Sequence, residues 1–204
     1  MKILCVGRNY ARHIEELRNK RPDNPVLFAK PETAKLLRHA DFYIPEFSSN
    51  VHYEVELLIK ICKVGKYIQP KFASSYYNEV GLGIDFTARD LQQELKEKGL
   101  PWEKAKAFDG SAMIGEKWFD KSKFDSLQDI NFSLKQNDEV VQEGNTKYML
   151  WQIDELIAEI SRYFTLKIGD VIFTGTPAGV GRVQPGDKLE GFIENHVVFD
   201  LKIK

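Results

Sequence analysis

The sequence has 204 residues, of which 43% are hydrophobic and 29% are charged, and its formal net charge is −1. This length and composition are typical of a globular protein with one well-packed domain. A net charge so near zero gives no excess of positive charge that would attract nucleic acid or an anionic membrane surface. No apolar run approaches the length of a membrane span. We therefore expect no nucleic acid and no membrane as partners.

The two cysteines indicate the compartment. Cys5 and Cys62 both lie in apolar, strand-like runs, which is typical of buried thiols in a reducing compartment and not of a disulfide. The apolar run at residues 1–6 is too short for a signal peptide. We therefore expect a cytoplasmic protein, and an organelle matrix is the other compartment that fits.

Short strands and helices alternate irregularly in the first half of the chain. The capping-box pattern at residues 87–90 predicts the start of a helix that ends at Gly99, and Pro101 blocks any continuation. Apolar periodicity and turn residues predict the other elements. These are a strand at 2–6, a helix at 9–19, a strand at 26–30, a loop-rich connection at 31–50, a strand at 52–61, a short helix at 70–78 and a buried strand at 80–86.

The second half of the chain is more clearly β. A hairpin is predicted at 132–142 around Asn137-Asp138, an amphipathic helix at 149–164, a strand at 171–174, and a last hairpin at 188–203 around Asn195-His196. No repeat or linker divides the chain, which predicts one domain over residues 1–204. The strands do not alternate regularly with helices, which disfavours a doubly wound sheet. We therefore expect an α+β, mainly β fold, a mixed β-sandwich or roll with peripheral helices.

Two carboxylates share one face of the predicted strand at 52–61. Side chains alternate along a strand, so Glu54 and Glu56 project on the same side as His52, with about 6.5–7 Å between the two acidic positions. At an effective dielectric of about 20 their repulsion is about 2.4 kcal/mol. Such a pair at the entrance of a core is therefore either solvated surface or held by a cation.

Asp85 ends the predicted strand at 80–86. Taken alone, an aspartate at this position is more typical of a local turn or helix cap. Beside Glu54 and Glu56, a third carboxylate completes an oxygen-rich site for a hard divalent cation. Because the set has no thiolate and no paired imidazole, Mg²⁺ or Mn²⁺ suits it better than zinc.

Other polar side chains have both a functional and an ordinary interpretation. Arg89 and Gln92 lie one turn apart at the start of a predicted helix, where they face either an anionic ligand or solvent. Lys106 is predicted on a strand, on the face opposite its two neighbours. His13 and Glu16 are three residues apart on the predicted helix at 9–19, and form either a surface ion pair or a base oriented by a carboxylate.

Five short motifs occur in order along the chain. They are GRNY at residues 7–10, HYEVEL at 52–57, DFTARD at 85–90, GLPW at 99–102 followed by Ala105-Lys106, and GTPAGVG at 175–181. In these motifs the chain resembles the fumarylacetoacetate hydrolase superfamily, and most closely its short acylpyruvase and oxaloacetate decarboxylase branch. The resemblance extends from Ile3 to the last hairpin.

The resemblance implies the mixed β-sandwich roll of the family's C-terminal domain, usually a homodimer with one Mg²⁺ or Mn²⁺ per subunit and a small 2-oxo acid as substrate. Arg12 stands where relatives often carry an acid, and residues 108–111 depart from the usual sequence of the branch. The site residues that the resemblance implies are Glu54, Glu56 and Asp85 as metal ligands, His13 and Glu16 as a catalytic dyad on a lid helix, Lys106 in catalysis, and Arg8, Arg89, Gln92 and Thr176 in substrate binding.

The activity that the resemblance implies is metal-dependent hydrolysis of acylpyruvates to pyruvate and a carboxylic acid, decarboxylation of oxaloacetate, or both. In this interpretation His13, oriented by Glu16, deprotonates a water, and Lys106 helps to stabilise an enolate. Two alternatives stay open. One is an isomerase or decarboxylase of the 2-hydroxyhepta-2,4-diene-1,7-dioate type, and the other is a non-enzymatic protein in which the metal stabilises a metabolite-binding scaffold.

Overall fold

β-Strands make up most of the regular structure in the computed structural model, which describes residues 1–204. Strand residues are 36% of the chain and helical residues 23%, which confirms the predicted α+β, mainly β class. The strands are β1 (Ile3–Gly7), β2 (Val26–Lys30), β3 (Val51–Tyr53), β4 (Val55–Ile61), β5 (Tyr77–Asp85), β6 (Thr87–Ala88), β7 (Ala112–Ile114), β8 (Phe119–Asp120), β9 (Asn131–Gln136), β10 (Glu139–Asn145), β11 (Val171–Phe173), β12 (Gly181–Arg182), β13 (Lys188–Ile193) and β14 (His196–Lys202). The α-helices are α1 (Ala11–Glu16), α2 (Pro70–Ala73), α3 (Arg89–Glu97), α4 (Glu103–Lys106) and α5 (Ile153–Tyr163).

The strands form three sheets. The largest has the order β2-β1-β11-β4-β5-β7, with β8 also paired to β5. In this sheet β1 and β11 are parallel and the other pairs are antiparallel. The second sheet has the order β10-β9-β13-β14, and the third the order β12-β3-β6. The largest sheet is therefore mixed, as the sequence predicts, and the two smaller sheets are antiparallel.

The main core lies between the two larger sheets and α5. Leu57 of β4 and Leu82 of β5 are fully buried in the same apolar cluster as Leu134 of β9, Leu189 of β13 and Ile157 of α5. Strand alternation sends every second side chain of β4 and β5 to the opposite face of the large sheet. That opposite face carries the polar site described below.

The paired ends of β4 and β5 set the positions of the acidic side chains. In this antiparallel pair Glu56 lies opposite Gly83, and the backbone N–H of Asp85 donates to the carbonyl of Glu54 at 2.9 Å. A Cβ atom on Gly83 would lie 2.3 Å from the carbonyl oxygen of Met113, so only glycine fits there. The pairing therefore brings three acidic residues together at one sheet end.

The strand predicted at residues 52–61 is interrupted at Glu54. The segment before it, β3, belongs to the small sheet and pairs with β6 through Val51 and Ala88. The segment after it, β4, belongs to the large sheet. His52 consequently lies on β3, where its Nε2 atom is 3.0 Å from Asn50 Oδ1. It shares neither a sheet nor a hydrogen bond with the acidic residues.

The predicted helices exist but are shorter, because their ends pack as turns or strands. The predictions 9–19 and 149–164 correspond to α1 and α5, and the prediction 70–78 corresponds to α2 with a following 3-10 turn at Ser74–Tyr76. Helix α3 ends as predicted. Gly99 takes a φ of +63°, and Leu100 N–H donates to Leu95 O at 2.8 Å, which is a Schellman motif. No helix is both long and apolar enough to cross a membrane.

Three local predictions are wrong. The predicted capping box is absent, because Thr87 belongs to β6 and its hydroxyl donates to the carbonyl of Asp85 at 3.2 Å. Lys106 lies at the end of α4 and not on a strand, since the turn after Pro101 continues into helix. The last hairpin turns one residue earlier than predicted, so that His196, the first residue of β14, pairs with Ile193 of β13. The hairpin at Asn137-Asp138 is confirmed.

Candidate active site

Three carboxylates lie together on the outer face of the large sheet. Oxygen atoms of Glu54, Glu56 and Asp85 all lie within 4.8 Å of one another, and the three residues are 4%, 2% and 0% exposed. The sequence predicted this grouping from strand alternation and an ordered motif. A buried set of three carboxylates needs compensating positive charge.

Three cationic side chains surround the carboxylates. Lys106 Nζ lies 2.7 Å from Glu54 Oε2 and 2.7 Å from Asp85 Oδ2. Lys30 Nζ lies 2.7 Å from Asp85 Oδ1, and Arg89 contacts the other oxygen of Glu54. Glu54 and Asp85 therefore each have two cationic partners inside the protein.

Glu56 is the carboxylate without a cationic partner. Its Oε2 atom accepts a hydrogen bond from the backbone N–H of Gly175 at 2.7 Å. Burial, together with the negative charges of Asp85 and Glu54, raises the pKa of Glu56. Burial also acts on Glu54, but the charges of Lys106 and Arg89 outweigh it and hold the pKa of Glu54 well below its ordinary value.

The donor set fits a hard divalent cation. All three side chains offer oxygen ligands, their ligand atoms converge, and Glu56 lacks a cationic partner. The Lys106 ammonium group already bridges Glu54 and Asp85, which shows that this space attracts positive charge. Three carboxylates without sulfur or paired imidazole ligands suit Mg²⁺ or Mn²⁺.

Helix α1 lies over the carboxylates and carries the predicted dyad. His13 Nδ1 is 3.1 Å from Glu16 Oε2, and the other oxygen of Glu16 accepts the N–H of Gly179 at 2.9 Å. Burial would raise the pKa of Glu16, but the hydrogen bonds from His13 and Gly179 outweigh it and lower that pKa. With Nδ1 held by Glu16, the Nε2 atom of His13 is the nitrogen available to exchange a proton.

The start of α1 is anchored by one side chain. Asn9 Nδ2 donates to Thr174 O at 2.8 Å and to Trp151 O at 3.1 Å, and its Oδ1 accepts from Trp151 N–H at 2.9 Å. Next to it, Gly175 has a φ of +102°, and a Cβ atom there would lie 2.7 Å from the Cβ of Asn9. The GRNY and GTPAGVG motifs therefore meet in space and fix the entry of α1.

His13, the three carboxylates, Arg89 and Lys106 line one cavity. It measures about 40 Å³, well below the roughly 300–1,000 Å³ of ordinary ligand pockets. In so small a cavity we expect α1 or Lys106 to move when a four-carbon acid binds. Its lining includes Arg8, His13, Glu54, Glu56, Asp85, Arg89, Gln92, Lys96, Trp102, Lys106 and Thr176.

Comparison with known protein families identifies the family to which this chain belongs. The family model of the fumarylacetoacetate (FAA) hydrolase C-terminal domain matches residues 2–199. The chain belongs to the fumarylacetoacetate hydrolase family. Membership confirms the resemblance in the five motifs and the expected fold.

Relatives within the fumarylacetoacetate hydrolase family cover nearly the whole chain. The mitochondrial oxaloacetate tautomerase FAHD1 of Mus musculus is 40% identical over 202 residues, 99% of this chain and 91% of the relative. Oxaloacetate tautomerase YcgM of Escherichia coli K12 is 41% identical over 196 residues, 96% of this chain and 89% of the relative. The crystal structure of fumarylpyruvate hydrolase from Pseudomonas aeruginosa in complex with Mn²⁺ and pyruvate has a TM-score of 0.91 at 34% identity, covering 100% of this chain and 89% of that chain.

All the residues that the family resemblance singled out, except Glu16, line the cavity, but their polar atoms are used unequally. The Thr176 hydroxyl donates to Val55 O at 2.9 Å and accepts from Gln142 at 2.9 Å, so it is fully engaged within the protein. Gln92 Oε1 accepts from Arg89 at 2.6 Å, which leaves its Nε2 without a protein acceptor.

Two buried residues of the site were not foreseen from the sequence. Lys30, whose side chain is fully buried, contacts Asp85 and donates to the hydroxyl of Ser111 at 3.0 Å. Gln142 is 1% exposed, and its Oε1 accepts the N–H of Val55 at 2.9 Å where the chain passes from β3 to β4. In the sequence, Lys30 is one lysine at a strand end and Gln142 is one glutamine in a hairpin. Both patterns are too common to indicate a functional site.

Proposed function

We propose that this protein is a divalent-metal-dependent enzyme acting on 2-oxo acids of the oxaloacetate and acylpyruvate type, with keto–enol tautomerisation of oxaloacetate as its first activity. The observation that supports this most directly is the shared cavity, in which His13, oriented by Glu16, faces three buried carboxylates. The identity to oxaloacetate tautomerases over nearly the full chain supports the substrate.

The carboxylate and 2-oxo group of the substrate bind at the carboxylate end of the cavity. A Mg²⁺ or Mn²⁺ ion held by Glu54, Glu56 and Asp85 would supply Lewis acidity beside the 2-oxo oxygen. Arg89 and the free Nε2 of Gln92 bind the C1 carboxylate. Because the hydroxyl of Thr176 is engaged, its backbone N–H, which has no protein acceptor, is the group of this residue that contacts substrate.

The proton transfer then uses the chain's own side chains. His13 Nε2 takes a proton from C3 of oxaloacetate, the C3–H electron pair forms the C2=C3 double bond, and the C2=O π pair moves to the oxygen. Lys106, released from Glu54 and Asp85, donates a proton to that oxygen to give the enol. The reverse sequence gives the ketone. Glu16 keeps His13 in the required tautomer and stabilises the imidazolium that forms.

Hydrolysis of acylpyruvates is the second candidate, and the similarity to a fumarylpyruvate hydrolase favours it. Here His13 deprotonates water, the hydroxide adds to the distal carbonyl, and the C–C bond to the pyruvate unit breaks. The electron pair of that bond becomes the enolate of pyruvate, which Lys106 stabilises before protonation. Decarboxylation of oxaloacetate would use the same enolate, with CO₂ as leaving group.

We further propose that residues 1–204 act as one catalytic domain and that two copies assemble as a homodimer in the cytoplasm. The continuous core cluster supports the single domain, the family resemblance supports the homodimer, and the two free cysteines support the cytoplasm. Size-exclusion chromatography with light scattering measures the oligomeric state directly.

One panel of assays separates the candidate activities. Enol oxaloacetate is followed by its ultraviolet absorbance, and pyruvate release is measured from oxaloacetate and from acetylpyruvate and fumarylpyruvate, each with Mn²⁺ and with chelator. Loss of the enol signal without pyruvate supports the tautomerase, and pyruvate from the 2,4-dioxo acids supports the hydrolase. Metal-dependent thermal stabilisation with no turnover of any substrate would refute an enzymatic role and support the metabolite-binding alternative.

A further inference from the structure

Two cationic side chains on the cavity wall have no carboxylate partner. The Arg8 guanidinium lies 5.8 Å from the centre of the Trp102 ring and forms no ion pair. Lys96 forms no ion pair either, and its Nζ donates only to Asn19 Oδ1, at 2.7 Å. Both side chains line the cavity that also holds Glu54. One end of this cavity therefore carries positive charge that no carboxylate of the chain neutralises.

The two cations are close enough to affect each other. Burial, followed by the positive charges of Arg8 and Arg89, lowers the pKa of Lys96. Partly buried like charges that repel each other and lack an anion within the chain favour an anionic ligand.

Helix α3 sets the distance between the two ends of the cavity. Arg89, Gln92 and Lys96 follow one another at intervals of three and four residues, so they share one helix face. Arg89 contacts Glu54 at the carboxylate end, and Lys96 lies about 10 Å further along the axis at 1.5 Å per residue. Lysine side chains on a helix lean toward its N-terminus, which brings the Lys96 ammonium back toward the carboxylates by part of that distance.

We propose that Lys96, with Arg8 beside it, binds the second carboxylate of the substrate and makes the site selective for 2-oxo dicarboxylates over 2-oxo monocarboxylates. This inference rests on the proposed function in one respect, that the 2-oxo acid end lies at Glu54, Glu56 and Asp85. Asn19, which follows α1, positions the ammonium group, so the distal carboxylate is bound beside the segment that carries His13 and Glu16.

The test compares two ligands that share a four-carbon skeleton. Oxaloacetate carries a carboxylate at C4, where 2-oxobutanoate carries a methyl group. Dissociation constants are measured with Mn²⁺ present, in freshly mixed solutions, by tryptophan fluorescence, since Trp102 lines the cavity. The proteins are wild type, Lys96→Met, Lys96→Arg and, as matched control, Lys98→Met, which removes an exposed lysine at the C-terminal cap of the same helix.

We expect wild type to bind oxaloacetate about 10- to 100-fold more tightly than 2-oxobutanoate, the scale of one charged hydrogen-bonded contact. Lys96→Met should lose most of this preference while its affinity for 2-oxobutanoate stays unchanged. Lys96→Arg should keep the preference, and Lys98→Met should behave as wild type. Thermal unfolding checks that the variants are folded.

Two results would overturn the inference. One is a wild type that does not prefer oxaloacetate, including a wild type that binds neither acid. The other is an equal loss of affinity for both acids in Lys96→Met. Because the readout is binding and not turnover, a Lys96-dependent preference in a protein without catalytic activity would support the distal site and refute the proposed function separately.

Discussion

Lys106 Nζ lies 2.7 Å from Glu54 Oε2, so an ammonium group occupies the edge of the space in which the carboxylates are proposed to hold a metal. Burial would lower the pKa of Lys106, but Asp85 and Glu54 outweigh it and raise that pKa. Lys106 is therefore protonated and competes with a divalent cation for the same oxygens.

The first prediction concerns Lys106→Met. Removing the ammonium should increase the affinity for Mn²⁺ at least about tenfold, because a like charge no longer opposes the ion. Without metal the variant should be less stable than wild type by about 3 kcal/mol or more, since buried carboxylates lose a partner. Calorimetric titration with Mn²⁺ and urea unfolding measure the two effects. Weaker metal binding in the variant would show that Lys106 does not compete.

The second prediction concerns Glu56 and pH. The pKa of Glu56 is raised in the folded protein above its ordinary value of 4.5. At a pH between these two values, Glu56 keeps its proton in the folded protein and has lost it in the unfolded chain. The free energy of unfolding of the metal-free protein should therefore fall as pH rises from about 4.5 toward the raised pKa. Metal affinity should rise over the same interval, because binding releases that proton.

Glu56→Gln tests this directly, because the amide keeps the shape and cannot ionise. Urea unfolding of the chelated proteins between pH 4.5 and 7.5 should show a smaller decline for Glu56→Gln than for wild type. An identical decline in both proteins would assign the pH dependence to another group.

The third prediction concerns the dyad on α1. His13→Ala should lower turnover by about 100-fold or more, the usual scale for a lost general base. Glu16→Gln should lower it less, because the imidazole stays but loses its orienting carboxylate. Glu15→Gln, at the exposed neighbouring position, is the control and should match wild type. Steady-state kinetics with saturating substrate measure kcat, and unchanged kcat in His13→Ala would remove His13 from the chemistry.

The fourth prediction concerns Gln142, which joins two segments of the site. It accepts the N–H of Val55 and donates to Thr176 Oγ1 and to Pro177 O at 3.0 Å. Gln142→Leu should destabilise the fold by about 2–4 kcal/mol, because these buried groups lose their partners. Urea unfolding measures the loss, and Glu143→Ala, one residue away and exposed, should change stability little. A neutral Gln142→Leu would mean that water or a shifted loop satisfies these groups.

The sequence predicted the features that depend on local periodicity. Strand alternation put Glu54 and Glu56 on one face, and the positive φ angles of Asn137 and Asp138, +52° and +69°, fit the hairpin predicted between two apolar runs. The grouping with Asp85 needed the order of the motifs as well, since no periodicity connects residue 56 to residue 85.

The features that the sequence did not predict depend on long-range pairing. The break at Glu54 arises because β3 pairs with β6 in another sheet, which no feature of residues 52–61 indicates. Lys30 contacts Asp85 across 55 positions of sequence and Gln142 contacts Val55 across 87. Their residue types are ordinary for a strand end and a hairpin, so only the fold gives them a role.

The most direct test of the central claim, that Glu54, Glu56 and Asp85 hold a catalytic divalent ion, is oxaloacetate turnover by chelated protein before and after Mn²⁺ is restored. We expect the rate to fall at least about 100-fold on chelation, the scale of several kcal/mol of Lewis-acid stabilisation. Mn²⁺ should restore the rate in wild type and fail to do so in Glu56→Gln. A full rate in the chelated wild type would contradict the claim.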